Sequence, residues 1–162
     1  MGEIKFEVNQ ESVTVTVEPR ELLIDVLRDH VGLKGTHAGC EQGSCGSCTV
    51  LLNGEGVRSC LLFAVQVEGS SVTTIEGIGT PTSPHPLQQA FSENFGLQCG
   101  FCTPGMVLTA IELLDKNPSP TRSEVKDWMS GNLCRCTGYT GIVDSVMSQS
   151  EVSISVNEGG NQ

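Results

Sequence analysis

Cysteine is the residue type in this sequence whose spacing points most directly to chemistry. In "GCEQGSCGSCTV" three thiols, Cys40, Cys45 and Cys48, stand close together among glycines, and Cys60 follows in "RSC". Further along, Cys99 and Cys102 lie in "LQCGFCTPGM", and Cys134 and Cys136 in "GNLCRCTGY". Two sets of four thiols can serve three purposes: disulfide staples, zinc sites or iron–sulfur clusters.

Spacing separates the three. Cys40, Cys45 and Cys48 follow C-x4-C-x2-C with Cys60 downstream, the ligand arrangement of a plant-type 2Fe–2S cluster. Four thiolates converging on two irons need a loop that wraps closely, often with positive φ, and backbone N–H donors that temper the sulfurs' charge. Gly39, Gly43, Gly46, Ser44 and Ser47 meet both needs. A structural zinc site uses two short C-x2–4-C knuckles, and only Cys45/Cys48 make one here. In the second set, C-x2-C is followed by C-x-C, which suits two irons that each take a pair of thiolates better than it suits one tetrahedral ion. The alternative, four buried cysteines acting as small hydrophobes, does not account for two tight pairs beside glycines and a helix start. Thr103-Pro104 reads as that start, placing a positive helix end next to Cys102. Arg135 lies between two of these cysteines, either as a compensating charge or as a plain surface arginine.

The rest of the chain narrows the class. Its 162 residues suffice for one ordinary domain or two small ones, and with one Trp, one Tyr and five Phe any core must rest on Val, Ile and Leu. The formal charge of −10, from 19 acids against 9 bases, leaves no basic stripe for a phosphate backbone, so no nucleic-acid partner is expected. No apolar run has the length of a transmembrane segment, and "MGEIKFEVNQ" does not read as a secretory leader. A cytoplasmic location is expected, where thiols stay reduced and structural disulfides are disfavoured. His30, His37 and His85 are isolated and read as structural or solvent-exposed. No constellation of catalytic acid, base or nucleophile is found.

The elements that must hold the thiols divide in two. Residues 3–8 and 12–17 read as a hairpin, followed by a helix from Pro19 carrying Leu22, Leu23, Val26 and Leu27 and closed by Gly32. Residues 48–69 read as strand, turn and strand with Cys60 on the second strand, and "SVTTIEG" as a last short strand. The prolines and glycines of "GIGTPTSPHPL" mark a linker. Beyond it, Val107, Leu108, Ile111 and Leu114 lie on one helix stopped by "NPSP". Thr121 and Glu124 form a capping box ahead of Val125, Trp128 and Met129, and a last helix starts near Thr140 with Ile142, Val143 and Val146. The expected class is α+β: residues 1–77 a 2Fe–2S ferredoxin-like domain, 78–86 a linker, 87–149 a helical 2Fe–2S-binding domain and 150–162 a mobile tail.

The two motif sets in this order resemble the iron–sulfur small subunit of the xanthine oxidase family of molybdenum hydroxylases, in its bacterial three-subunit form. The resemblance spans roughly residues 3–149. It implies a β-grasp plant-type ferredoxin domain followed by a four-helix bundle. It further implies two 2Fe–2S clusters ligated by Cys40, Cys45, Cys48 and Cys60 and by Cys99, Cys102, Cys134 and Cys136. The partners implied are a large subunit with molybdenum on molybdopterin cytosine dinucleotide and a medium subunit with FAD, assembled as a dimer of heterotrimers. By the same resemblance the second cluster faces the pterin, with Gln98 and Cys136 closest to it, and the first faces the flavin. The role implied is electron transfer, with substrate chemistry left to the large subunit.

Overall fold

A computed structural model describes residues 1–150. The fold is mixed, a five-stranded sheet followed by a group of helices. β1 (Gly2–Val8) and β2 (Glu11–Val17) pair antiparallel from Gly2↔Val17 to Val8↔Glu11. Asn9 and Gln10 turn the chain between them, both with positive φ, as the right-handed twist of a two-residue hairpin requires. Alternation sends Ile4, Phe6 and Val8 into the core and Glu3, Lys5 and Glu7 to solvent. β3 (Thr49–Leu52) and β4 (Glu55–Arg58) form a second hairpin around Asn53-Gly54, and β5 (Ser71–Thr73) joins the two halves. The order is β2-β1-β5-β3-β4, with β5 parallel to β1 and antiparallel to β3.

The helix expected from Pro19 begins later. Glu18 and Glu21 close a turn, Leu22 is extended and bridges to Phe63, and α1 (Leu23–Asp25) runs on as a wider π turn over Val26–His30. Leu23, Val26 and Leu27 must reach the sheet core with Ile4, Phe6, Val17 and Val50, and that demand outweighs the proline start signal. Cys60 is likewise not on a strand. Pairing of β3 with β4 ends at Thr49↔Arg58, and Ser59–Leu61 form a 3-10 turn pinned by Ser59 Oγ donating to Cys48 O at 2.7 Å.

In the second half α2 (Pro86–Glu93), α3 (Thr103–Lys116), α4 (Arg122–Met129) and α5 (Tyr139–Ser148) share a core of Leu87, Phe91, Met106, Ala110, Val125, Met129, Ile142 and Val146. The capping box on α4 is present: Glu124 N donates to Thr121 Oγ1 at 3.3 Å and Thr121 N donates to Glu124 Oε2 at 2.7 Å. α2, which starts inside the expected linker, is capped by His85, whose Nδ1 accepts from Leu87 N at 3.2 Å. Thr103 does not cap α3. It is the first helical residue, Cys102 occupies the cap, and the Thr103 hydroxyl is buried without a hydrogen-bond partner. α3 also packs against β3, so one helix belongs to both halves. Ser150, at the start of the expected tail, is buried and donates to Met147 O at 2.8 Å, and residues 151–162 lie outside the described residues.

Candidate metal centres

The first four thiols gather from a loop and a turn. The chain from Ser47 back to Gly39 has no regular structure and curls over the end of β3, while the turn after β4 carries Cys60 in from the other side. Cys45 N donates to Cys40 Sγ at 3.3 Å. The Ser44 hydroxyl, then the backbone N–H groups of Gln42 and Cys45, hold the Cys40 thiol down at about 6, which favours thiolate. Cys48 and Cys60 are buried, and burial first, then the hydrogen-bonded Cys48, pushes the Cys60 thiol up to about 11. Gly46 is required here: its φ is +74°, and a Cβ on it would meet Asn132 and Gly131 O at 2.7 Å.

The second four come from the loop ahead of α3 and the segment between α4 and α5. Burial, then the hydrogen-bonded Cys134, pushes the Cys102 thiol up to about 12. Cys99 is exposed, and the Phe101 N–H, then the Cys136 thiol, lower its pKa from the ordinary cysteine value. Gly138 N donates to Cys134 Sγ at 3.4 Å, and Cys134 N donates to the Tyr139 hydroxyl at 2.9 Å. Cys102 sits at the positive end of the fourteen-residue α3.

The expected ligand thiols neighbour one another in pairs: Cys40 with Cys45 and Cys48 with Cys60 in the first set, Cys102 with Cys134 and Cys99 with Cys136 in the second. A two-iron centre, each iron taking one pair, fits this pairing. Cys40 and Cys45 line the same cleft of about 490 Å³ as Cys99, Cys102 and Cys134, with Phe101 also in its wall. A hollow of about 260 Å³ among Met106, Met129, Ile142 and Val143 has no cysteine in its wall. Thiols, inward N–H donors and the open cleft together suit the residues to two 2Fe–2S clusters.

Arg135 is exposed on the cleft wall, and Gln98 is exposed on the loop before Cys99. The three histidines have structural partners: His30 meets Glu21 at 2.7 Å, His85 caps α2, and His37 stacks on Phe101 at 4.7 Å and meets its carbonyl oxygen at 2.7 Å. Sequence reasoning passed over Asn132, Arg58 and the His37–Phe101 pair, which join segments far apart in the chain, and Tyr139, whose hydroxyl accepts from Cys134 N. Only Tyr139, five residues after Cys134 and next to a glycine, carried even a local hint.

Comparison with known proteins agrees with this geometry. The "2Fe-2S iron-sulfur cluster binding domain" family model matches residues 6–72, and the "[2Fe-2S] binding domain" family model matches residues 74–147. The chain is 51% identical over 145 residues to the nicotine 6-hydroxylase small subunit of Paenarthrobacter nicotinovorans, covering 90% of this chain and 87% of that one. It is 48% identical over 139 residues to the nicotinate dehydrogenase small FeS subunit of Eubacterium barkeri, covering 86% and 88%. Among solved structures, quinoline 2-oxidoreductase from Pseudomonas putida 86 superimposes with a TM-score of 0.89 at 46% identity, covering 99% of this chain and 98% of that one. With two matched 2Fe–2S domains and relatives of this kind along nearly its whole length, the chain belongs to the iron–sulfur small subunits of the xanthine oxidase family of molybdenum hydroxylases.

Proposed function

We propose that this chain is the electron-transfer subunit of a molybdenum hydroxylase, linking the molybdopterin centre of a large subunit to the FAD of a medium subunit. The carrying observation is that thiols of both sets, Cys40 and Cys45 of the first and Cys99, Cys102 and Cys134 of the second, line one cleft although the two halves have separate cores. Bound there, each 2Fe–2S cluster supplies a one-electron redox centre. We assign Cys40, Cys45, Cys48 and Cys60 to one cluster and Cys99, Cys102, Cys134 and Cys136 to the other. We read residues 1–77 as a β-grasp ferredoxin domain and 87–149 as a four-helix bundle, joined by 78–86.

The surface supports two different neighbours. Leu97, Phe101, Leu133 and Tyr139 are exposed apolar groups on the segments that carry the second quartet, as expected of a face buried against a large subunit. Gln98 lies on that loop, with an amide that can both donate to and accept from a pterin, and Cys136 is only half-buried. Leu61, Phe63 and Val65 are exposed beside Cys60, where we place the FAD-bearing subunit. We further read the assembly as a cytoplasmic dimer of heterotrimers using molybdopterin cytosine dinucleotide. Among the described residues no helix is long and apolar enough to cross a membrane. The substrate pocket belongs to the large subunit.

Iron analysis of anaerobically purified complex tests the reading. About four irons per copy of this chain are expected, two for each 2Fe–2S cluster, with two distinct paramagnetic signals on reduction. Cys45→Ser should abolish one signal and Cys134→Ser the other. Retention of both signals in either variant would refute the ligand assignment.

A further inference from the structure

The two ligand segments are joined by one direct backbone hydrogen bond: Leu133 N, next to Cys134, donates to Cys45 O at 2.8 Å. A closed ring of hydrogen bonds surrounds it. Arg58 Nη2 donates to Gly131 O at 2.7 Å and to Asn132 Oδ1 at 3.0 Å. Its Nη1 donates to Thr49 Oγ1. Thr49 Oγ1 donates to Gly46 O at 2.6 Å, and Asn132 Nδ2 reaches the same oxygen at 3.3 Å. Arg58, Thr49, Gly46 and Asn132 thus form a loop of partners across the seam. Gly46 follows Cys45, and Asn132 precedes Leu133, so the ring grips the chain beside both ends of the bridging bond.

The construction is tight. Asn132 is 2% exposed and its Oδ1 also accepts from Thr109 of α3 at 3.4 Å. A Cβ on Gly105 would collide with Gly46 O, so the helix lies directly against this carbonyl. A planar five-donor fork that serves three acceptors at fixed angles is a task a lysine cannot perform. The seam has another ionic contact, Lys116 with Glu55 at 3.8 Å, but that pair is exposed and away from the ligand segments.

We propose that Arg58 and Asn132 are positioning residues for electron passage between the two centres, holding the Leu133 N–H···O=C Cys45 bond that joins their ligand segments. This rests on the two-cluster reading above. With both clusters bound, the passage would be a one-electron transfer, one centre oxidised as the other is reduced, with no bond or proton changing place. Among the described residues the hydrogen-bond partners of both side chains are backbone, hydroxyl, amide and guanidinium groups rather than thiols, so both act through the backbone they hold.

The test uses the assembled enzyme carrying Arg58→Met, which keeps the stem and removes the fork. Expected are unchanged iron content and both single-cluster signals, with loss of the magnetic splitting between the two reduced centres. Leu133 amide exchange should rise, and electron passage between the centres should slow by about tenfold or more, as misplacement of a reacting geometry does. Lys116→Met, at the other seam contact, should leave splitting and rate as in the parent. If Arg58→Met loses iron, Arg58→Lys is read against the same criteria. The proposal is overturned if splitting and rate persist while Leu133 exchange rises, or if Lys116→Met matches the Arg58 variant. A parent enzyme with only one cluster signal overturns the two-cluster reading itself, and the proposal with it.

Discussion

One methyl group on Gly105 would strike the carbonyl of Gly46, the residue that follows Cys45, so the packing of α3 and the placing of the first thiol loop meet in a single van der Waals contact. Overpacking a tight site costs about 1–3 kcal/mol. Gly105→Ala should therefore destabilise the loaded protein by that amount in denaturant titration. A loss within error would mean that α3 can slide away from the loop. Gln98 tests a different property. Its side chain is exposed, so Gln98→Ala should keep both cluster signals and the parent stability. On the proposed contact between Gln98 and the large subunit's cofactor, reduction of the centres by substrate should slow; unchanged single-turnover kinetics would remove Gln98 from the electron path. The thiol pattern was legible at this scale because ligand spacing is written along the chain. Asn132 and Arg58 were not: each is a lone polar residue in sequence, and its meaning lies in partners 74 and 73 positions away.

Among elements, those with local signatures were read correctly. Period-two alternation gave β1 and β2, and the Thr121–Glu124 box fixed the start of α4, because both signals act within a few residues. The starts of α1 and α3 and the position of Cys60 were misread for one shared reason. Proline and threonine propensities were outweighed by tertiary demands, the sheet core for Leu23 and the turns that bury Cys60 and Cys102. The box on α4 permits a direct check. The Thr121 N–H first, then its hydroxyl, holds the Glu124 carboxyl below its ordinary value. A lowered carboxylate contributes stability above its unfolded pKa and loses it as pH falls through the lowered folded value. Thr121→Ala should cost about 1 kcal/mol near neutral pH and let the Glu124 carboxyl titrate at a higher pH, followed by NMR. An unmoved Glu124 titration would show that the hydroxyl contributes nothing to the cap.

For the whole molecule, the organising fact is that two apolar cores lie on either side of a polar seam, and Cys40, Cys45, Cys99, Cys102 and Cys134 line a cleft shared by both halves. Ile4, Phe6 and Val72 pack with α1 on one side, Phe91, Met106 and Ile142 among the helices on the other, and none of these depends on a cysteine of the first quartet. The second quartet differs, since Cys102 and Cys134 are members of the helical core. Two halves could be foreseen from the change of periodicity after residue 77; that one helix would serve both could not, because Thr109 and Leu108 look from sequence like ordinary helical positions. Metal ligation and folding are coupled where a site orders otherwise irregular chain. Chelating iron from the reduced protein should therefore act unevenly. Amide exchange should rise most in residues 39–48 and 131–138, rise less in the helices that share Cys102 and Cys134, and remain slow in β1 and β5. Uniform loss of protection through the sheet would show instead that the first core cannot stand without its cluster.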